Sequence, residues 1–285
     1  MKFVIIFSIS AAFLNAISVV VQRKVAGKPA ANELFRVPFI KNLTLNKLWL
    51  VGFGLQVMAF FLQAAALSKG SLIIVEPILT IDLVFILLIL HFRYHVRTGL
   101  RGWVAVLMVC VGLSGLLASA QPHHGHQRFE FTFWVIAIGS ILLLINLAVF
   151  IVRRTESSQR RSLIMGVAAG LSFALSAVFT KLTVIRLHFG FLAEFTGWPI
   201  YALLLAGILS IIMTQNTYGA GPVVISQPTM EITEPIISIV MAMLLFGDTI
   251  DLHPTAIMLE AVTGLLACVG IWLLGRSDSM QLQNT

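Results

Sequence analysis

Five carboxylates lie inside stretches of this chain that are otherwise almost entirely apolar: Glu76, Asp82, Glu231, Glu234 and Glu260. An ionised acid at the centre of a bilayer costs about 2.5–3.5 kcal/mol on the insertion scale, so such a residue faces other protein groups or a water-filled cavity. Acids in that position bind cations or carry protons. These carboxylates are therefore the first candidates for function.

Polar side chains recur at helical spacing around two of these acids. Gln227, Glu231, Glu234 and Ser238 are separated by four, three and four residues, which places them on one face of a helix. Two carboxylates one turn apart repel each other unless a cation or a proton lies between them. The pattern predicts a site for a cation or a proton, with Glu231 and Glu234 as candidate metal ligands.

Asp82 and a set of helix-breaking residues belong to the same candidate site. Asp82, like Glu231, lies about 15 Å into its apolar stretch, which is the midplane of a hydrocarbon core about 30 Å thick. Prolines interrupt both stretches and free backbone carbonyls that need a cation or water as a partner. Lys181 is either a counter-ion for the acids or a side chain that reaches the membrane surface. The candidate substrate- or ion-binding residues are Glu76, Asp82, Lys181, Gln227, Glu231 and Glu234, with helix breaks at Pro77, Pro228 and Pro235.

Composition indicates the class of protein that positions these residues. The chain of 285 residues is 58% hydrophobic and only 11% charged, whereas about a quarter of the residues in soluble proteins are charged. Its mean hydropathy is +0.96. Apolar runs of about 18 residues or more can span a bilayer. The sequence predicts an all-α polytopic membrane protein with nine spans, at 3–21, 48–68, 72–91, 102–120, 131–152, 163–185, 195–214, 221–246 and 255–275.

The distribution of basic residues predicts the orientation of these spans. With nine spans, the 22–47, 92–101 and 153–162 loops and the C-terminal tail lie on one side and carry 14 of the 19 Lys and Arg residues. The positive-inside rule then places the N-terminus outside and the C-terminus in the cytoplasm. The expected location is a plasma membrane, the bacterial inner membrane. Contact with anionic lipid accounts for the net charge of +7, so no nucleic-acid partner is expected.

Two halves of the chain repeat each other. Gly70–Pro77 recurs 151 residues later as Gly221–Pro228, and Cys110–Gly112 recurs 158 residues later as Cys268–Gly270. Matched spans are five apart, so the second copy crosses the membrane in the opposite sense. We predict two inverted-topology repeats, spans 1–4 and spans 6–9, with span 5 as the connector.

The predicted organisation has four parts. Residues 1–120 form the first membrane repeat and residues 162–276 the second. Residues 121–161 contain an outer loop, the connector helix and a basic cytoplasmic loop, and residues 277–285 form a short cytoplasmic tail. The outer loop contains three histidines that we interpret as exposed loop residues, with metal binding as the alternative: His123, His124 and His126.

Motifs of soluble and ATP-driven enzymes are absent from the sequence. It contains no P-loop, HExxH, GxSxG or zinc-ligand spacing. We therefore expect no enzymatic activity and no cofactor, and any uphill movement of a solute would draw on a gradient. The two cysteines, Cys110 and Cys268, occupy matched mid-span positions and are interpreted as small interior packing residues.

Several short motifs resemble the drug/metabolite transporter superfamily. They are Val21–Lys24 at the end of span 1, Leu48–Gly52 opening span 2, Gln63–Leu67, Glu76–Pro77 and Phe246–Asp248 at the end of span 8. Nine spans with an outside N-terminus are similar to the NIPA-type magnesium transporters of that superfamily and their bacterial relatives. The resemblance covers roughly residues 3–275 and implies two inverted helical repeats around a central cavity. Asp248 departs from it, because the superfamily often has Glu there.

Three functions are consistent with these observations. The first is a gradient-driven transporter of a cation, with Mg²⁺ as the candidate because it prefers hard oxygen ligands and because of the resemblance. The second is a proton-coupled exporter of a small metabolite or drug, in which the acids carry protons. The third is a non-transporting membrane scaffold, which would not need acids at the midplane. The lipid bilayer is a partner in each case, and a homodimer is left open.

Overall fold

The apolar stretches of the chain fold as helices, which satisfy their own backbone polar groups inside a membrane. A computed structural model describes residues 2–27, 34–35, 37–67, 75, 78–94, 99–119, 131–187, 197–246 and 254–276. The described residues form ten helices and no strand: α1 (Lys2–Ala26), α2 (Val37–Thr44), α3 (Lys47–Leu67), α4 (Asp82–Tyr94), α5 (Leu100–Ser119), α6 (Phe131–Arg153), α7 (Ser158–Leu187), α8 (Trp198–Ala220), α9 (Val223–Phe246) and α10 (Pro254–Gly275).

Six of these helices are long and apolar enough to cross a membrane: α1, α3, α6, α7, α8 and α9. Helices α5 and α10 contain shorter apolar stretches, Leu100–Leu116 and Met258–Leu274. Large apolar side chains remain exposed on the outside of the bundle, as in Leu143 of α6 and Phe61 of α3. Such a surface suits lipid and not water, and the chain is a multi-pass helical membrane protein.

Each of the nine predicted spans overlaps a helix, and the third differs most from its prediction. The apolar run predicted a helix from residue 72, but α4 begins only at Asp82. Residues 78–79 are helical and Thr80–Ile81 forms a turn. The helix is therefore interrupted immediately before its acidic residue. A short helix, α2, lies within the segment 22–47 between the first two predicted spans.

Helix α9 contacts helices from both halves of the chain. It packs along α7 and also contacts α1, α4, α5, α6, α8 and α10. The other extensive pairings are α1 with α3, α5 with α10, and α7 with α8. One apolar cluster lies mainly among α1, α3, α4, α5, α9 and α10, and a second lies among α6, α7, α8 and α9. Helix α9 contributes to both clusters and so connects them.

Two glycines of α7 allow the close approach of α7 to α9. A Cβ on Gly166 would lie 2.8 Å from the carbonyl oxygen of Ser226, and a Cβ on Gly170 would lie 2.6 Å from Cβ of Thr233. Both distances are too short for real atoms, so only glycine fits at these positions. The GxxxG spacing of Gly166 and Gly170 is thus a packing surface, and it fixes the position of α9 against α7.

The two cysteines differ in burial. Cys110 is buried, as interpreted, but Cys268 is exposed, so interior packing is wrong for Cys268. The physical reason is the face of α10 that contacts α5. Ala267 lies next to Gly112, and Gly270 lies next to Val109, so the residue between them points away from α5.

Polar contacts bring several helix ends together at one end of the bundle. Ser162 Oγ at the start of α7 donates to the carbonyl of Pro222 between α8 and α9, at 2.7 Å. Gln215 near the end of α8 donates to Gln22 near the end of α1, and Trp49 at the start of α3 donates to Gln215. We call this end the basic end after the charged residues on these and neighbouring helix ends: Arg23, Lys24, Lys47, Arg153 and Arg154.

Candidate functional site

Two carboxyl groups meet where α4 contacts α9. Asp82 is the first residue of α4 and Glu231 lies within α9. Their side chains lie within hydrogen-bonding reach of each other. Asp82 is only 4% exposed. We call Asp82 and Glu231 the carboxyl pair; it joins two acids that the sequence analysis singled out separately.

An amide group holds one oxygen of each carboxyl. Asn15 Nδ2 of α1 donates to Asp82 Oδ2 at 2.7 Å. Gln227 Nε2 donates to Glu231 Oε1 at 2.8 Å, one turn earlier on α9. Hydrogen bonds to charged groups contribute about 1.5–3 kcal/mol each, so the two amides orient the carboxyls. The sequence analysis missed Asn15, although an Asn in the middle of an apolar span was a signal that could have identified it.

With both carboxyls ionised, the remaining oxygens of this group have no donor among the described residues, and a proton shared by Asp82 and Glu231 would pair the two carboxyls with each other. Asp82 Oδ1, Gln227 Oε1 and Glu231 Oε2 are all buried and accept no hydrogen bond from the described residues. A buried acceptor without a partner costs about 1–3 kcal/mol. The cost is removed when a cation or a hydrogen-bond donor is placed among the three oxygens. The arrangement is therefore suited to a small oxygen-seeking ligand.

Helix α4 begins after a turn, whereas α9 continues through Pro228 and Pro235 and is not broken at either, contrary to the helix breaks predicted there. Pro235 lies inside α9 and has no N–H for the carbonyl of Glu231, four residues earlier. Asp82 lies at the N-terminus of α4, where the helix dipole favours a negative charge. The turn before it is held by Cys110 of α5, whose thiol donates to the carbonyl of Thr80 at 3.3 Å. The interrupted helix and the proline thus position the two acids.

A small apolar cavity lies between the carboxyl pair and the basic end. Its volume is about 10 Å³, and Leu83, Val224 and Pro228 are among its lining residues. A cavity of that size is close to the minimum that holds one water. Pockets for drug-sized molecules have volumes of about 300–1,000 Å³. All of its lining side chains are apolar, so the cavity is packing space next to the residues that flank the carboxyl pair and supplies no ligand for an ion.

The other predicted site residues have different positions. Glu234 is half-buried and lies within electrostatic range of Glu231. Lys181 Nζ lies 4.4 Å from the centre of the Phe246 ring, about 22 Å along α9 from Glu231. Pro228 and Pro235 lie inside α9. Glu76 and Pro77 lie outside the described residues, as do His123, His124 and His126.

Within the part of the chain that the structure describes, the site is a pair of acids and not a larger ligand cage. Among the described residues, no group of three or more His, Cys, Asp or Glu side chains is arranged to hold a metal ion. Cys110, although it lies near the carboxyl pair, directs its thiol to a backbone carbonyl. Soft-metal chemistry therefore has no support at this position, and a ligand would complete its shell with water.

A second buried polar group joins α1, α3 and α8 toward the basic end. Gln22 Nε2 donates to Ser18 Oγ at 2.7 Å and to Gln56 Oε1 at 2.9 Å. Gln215 Nε2 donates to Gln22 Oε1 at 2.5 Å, and Trp49 Nε1 donates to Gln215 Oε1 at 2.7 Å. We call Ser18, Gln22, Trp49, Gln56 and Gln215 the amide network. The sequence analysis did not identify it.

Comparisons with known proteins give two distant relatives. No family model matches the chain, and no solved structure matches it. An uncharacterized protein of Corynebacterium glutamicum is 26% identical over 281 residues, which cover 97% of this chain and 96% of that protein. A probable magnesium transporter of Arabidopsis thaliana, NIPA9, is 19% identical over 244 residues, which cover 82% of this chain and 71% of that protein. The chain is thus a multi-pass helical membrane protein with a distant likeness to a probable magnesium transporter.

Proposed function

We propose that this chain is a gradient-driven membrane transporter and that the carboxyl pair binds the transported cation. One observation carries the proposal: Asp82 and Glu231 meet in the interior, and Asp82 Oδ1, Gln227 Oε1 and Glu231 Oε2 are each buried without a hydrogen-bond donor among the described residues. A membrane scaffold would have no use for such oxygens, since they cost stability unless a ligand satisfies them. The proposal involves no chemical conversion, so the chain is not an enzyme in it.

Magnesium is the proposed substrate. Mg²⁺ prefers oxygen ligands and keeps several of its waters, so one or two carboxylates are often its only charged protein ligands. The two carboxyls and one amide oxygen of this site fit that requirement. The likeness to a probable magnesium transporter supports the same substrate.

We also propose that the chain has nine spans in two inverted repeats, as in the drug/metabolite transporter superfamily. Helix pairings support this arrangement, because they occur twice. Helix α1 packs on α3 and α4, and α7 packs on α8 and α9; α4 contacts α5, and α9 contacts α10. Helices α5 and α10, which hold the matched cysteines, pack on each other. Inverted repeats of this kind place substrate sites at their interface.

The proposed location is a bacterial inner membrane with the basic end in the cytoplasm, in line with the positive-inside rule. Cysteine labelling tests the orientation. A cysteine introduced at His124, outside the described residues, is expected to react with an impermeant thiol reagent in intact cells. A cysteine introduced at Asn42 of α2 is expected to react only after the cells are opened. The reverse pattern would overturn the orientation.

A second candidate is a proton-coupled exporter of a small metabolite or drug. The observation that favours it is the contact between the carboxyls of Asp82 and Glu231, since two acids at this separation can share one proton. The likeness to a probable magnesium transporter favours the cation instead.

The test is a flux assay in proteoliposomes. Purified wild type, Glu231→Gln and Glu156→Gln are compared for uptake of Mg²⁺, Ca²⁺, Mn²⁺ and Co²⁺ with and without a pH gradient. Glu156 is an exposed loop residue and provides the matched control. We expect Mg²⁺ flux in the wild type and the control, and a loss of about 100-fold or more in Glu231→Gln. Equal flux in all three proteins would contradict the proposal, and proton movement without cation flux would favour the exporter.

A further inference from the structure

The described part of the segment between α1 and α2 packs against helices of the second half of the chain. Leu34 is 1% exposed and belongs to the apolar cluster of α6, α7, α8 and α9. The backbone N–H of Phe35 donates to Asn216 Oδ1 of α8 at 2.6 Å. The guanidinium of Arg153 lies 5.9 Å from the centre of the Phe35 ring. We call Leu34 and Phe35 the crossing turn.

The crossing turn is held in a strained backbone conformation. Phe35 has φ = 65°, a left-handed value that is rare for a bulky residue. Such a residue keeps this conformation only while its surroundings enforce it. Here Asn216 and Arg153 provide those contacts. Loss of the contacts would therefore favour departure of the turn from its present position.

The amide network holds the same end of α8 through Gln215, the residue that precedes Asn216. Gln215 binds Gln22 of α1 and Trp49 of α3, while its neighbour Asn216 binds Phe35. Three separate segments of the first 67 residues are thus hydrogen-bonded to two consecutive residues of α8. These bonds link amides and an indole, which water can also satisfy. The hydrogen bonds hold this end closed while water is excluded. When water enters, it can replace each partner, so the bonds do not prevent opening.

These contacts lie at the basic end, on the cytoplasmic side of the carboxyl pair in the proposed orientation. Gln22 follows Asn15, which holds Asp82, by two turns of α1, or about 10 Å. We propose that the amide network and the crossing turn are a gate that closes the basic end and must separate to admit the transported cation. This inference rests on the proposed transport function, and it names the part of the chain that controls access to the site.

The gate can be tested by cysteine accessibility in the full-length protein. The two native cysteines are replaced by serine, and Val224→Cys in the small cavity serves as the reporter. An impermeant maleimide is applied separately to each face of membrane vesicles. Asn216→Leu removes the acceptor for Phe35. Asn146→Leu is the matched control, because Asn146 and Asn216 each donate to the carbonyl four residues earlier at 2.8 Å, and Asn146 is on an exposed face of α6.

We expect the Val224→Cys reporter to react about tenfold faster in the Asn216→Leu protein, on the basic face only, because one buried hydrogen bond that favours closure is lost. Asn146→Leu is expected to leave the rate unchanged. Phe35→Ala provides a second variant, since it removes the ring that contacts Arg153 and keeps a residue that is strained at the positive φ. It is also expected to raise the rate, in protein that elutes as a single species.

Two outcomes would overturn the gate: unchanged labelling in both folded gate variants, or the same increase in Asn146→Leu. The gate and the transport proposal fail in different ways. Faster labelling of Asn216→Leu without Mg²⁺ flux in the wild type supports the gate and contradicts the cation substrate. Flux that depends on Glu231, with unchanged labelling, supports the substrate site and contradicts the gate.

Discussion

The carboxyl pair and the amide network are both buried polar groups, but they differ in how completely their atoms are paired. In the network, both ends of the amides of Gln22 and Gln215 have hydrogen-bond partners. In the site, Gln227 uses only its Nε2, and its Oε1 has no donor. A fully paired network stabilises one arrangement of helices, whereas unpaired oxygens retain affinity for a ligand. The same residue type thus supports closure in one region and binding in the other.

The largest expected effect is on the carboxyl pair. Asp82→Asn and Glu231→Gln keep the shape of each side chain and remove its charge. Each change is expected to reduce cation flux by about 100-fold or more, because loss of an outer partner alone typically costs 10–100-fold in metal affinity. Residues that act as one unit are not additive. The double variant is therefore expected to transport no worse than either single variant in the proteoliposome assay.

Independent, multiplicative losses in the double variant would show that the two acids act at separate sites. Asp82 and Glu231 would then not bind one cation together, and their contact would have no role in transport.

Replacement of a glutamine by leucine should have different effects in the two regions: a loss of stability in the amide network and a loss of cation affinity in the site. Gln215→Leu leaves Gln22 Oε1 and the Trp49 indole without partners, which should lower the free energy of unfolding by about 2–4 kcal/mol. Gln227→Leu removes an oxygen that already lacks a donor together with one hydrogen bond to Glu231 Oε1, so it should lower cation affinity with a smaller loss of stability than Gln215→Leu causes. Thermal unfolding in detergent and cation binding are measured for both variants. A greater loss of stability in Gln227→Leu than in Gln215→Leu would show that Gln227, and not Gln215, has the structural role.

A larger side chain on α7, at its contact with α9, should have an intermediate effect on stability. A Cβ on Gly170 would lie 2.6 Å from Cβ of Thr233 and 2.9 Å from the carbonyl oxygen of Met230, so Gly170→Ala forces α7 and α9 apart. Overpacking of this kind costs about 1–3 kcal/mol. Gly207→Ala is the control, because nothing lies within 4 Å of the position that its Cβ would occupy. Thermal unfolding should separate the two variants, and equal stability would show that α7 does not constrain α9.

The sequence could predict the acids but not their partners. Charged residues in apolar runs are conspicuous, so Asp82, Gln227 and Glu231 were identified from composition and spacing. Helical spacing compares only residues on the same helix, and it therefore paired Glu231 with Glu234. The contact of Glu231 with Asp82 depends on how α4 packs against α9, which no local pattern contains.

The amide network was beyond sequence reasoning for a related reason. Gln22, Gln56 and Gln215 lie on three helices and are neutral, so none of them carries the cost that makes a buried acid noticeable. The late start of α4 was also missed, because the apolar run across residues 72–91 continues through the turn at Thr80–Ile81. Hydropathy indicates whether a residue lies in the membrane. A break in a helix depends on hydrogen bonds to its carbonyls, such as that from Cys110 to Thr80.

The smallest expected effect belongs to Asn15, which positions Asp82 and is not proposed to contact the ligand. Asn15→Leu removes the donor to Asp82 Oδ2, so the carboxyl loses its fixed orientation while keeping its charge. Partners of metal ligands typically contribute 10–100-fold to affinity, and we expect the lower value, a decrease of about tenfold in cation affinity with the maximal flux nearly unchanged. Asn146→Leu, on an exposed face of α6, is the control. A loss of maximal flux as large as that of Asp82→Asn would mean that Asn15 itself binds the cation, and unchanged affinity would mean that the interrupted helix alone orients Asp82.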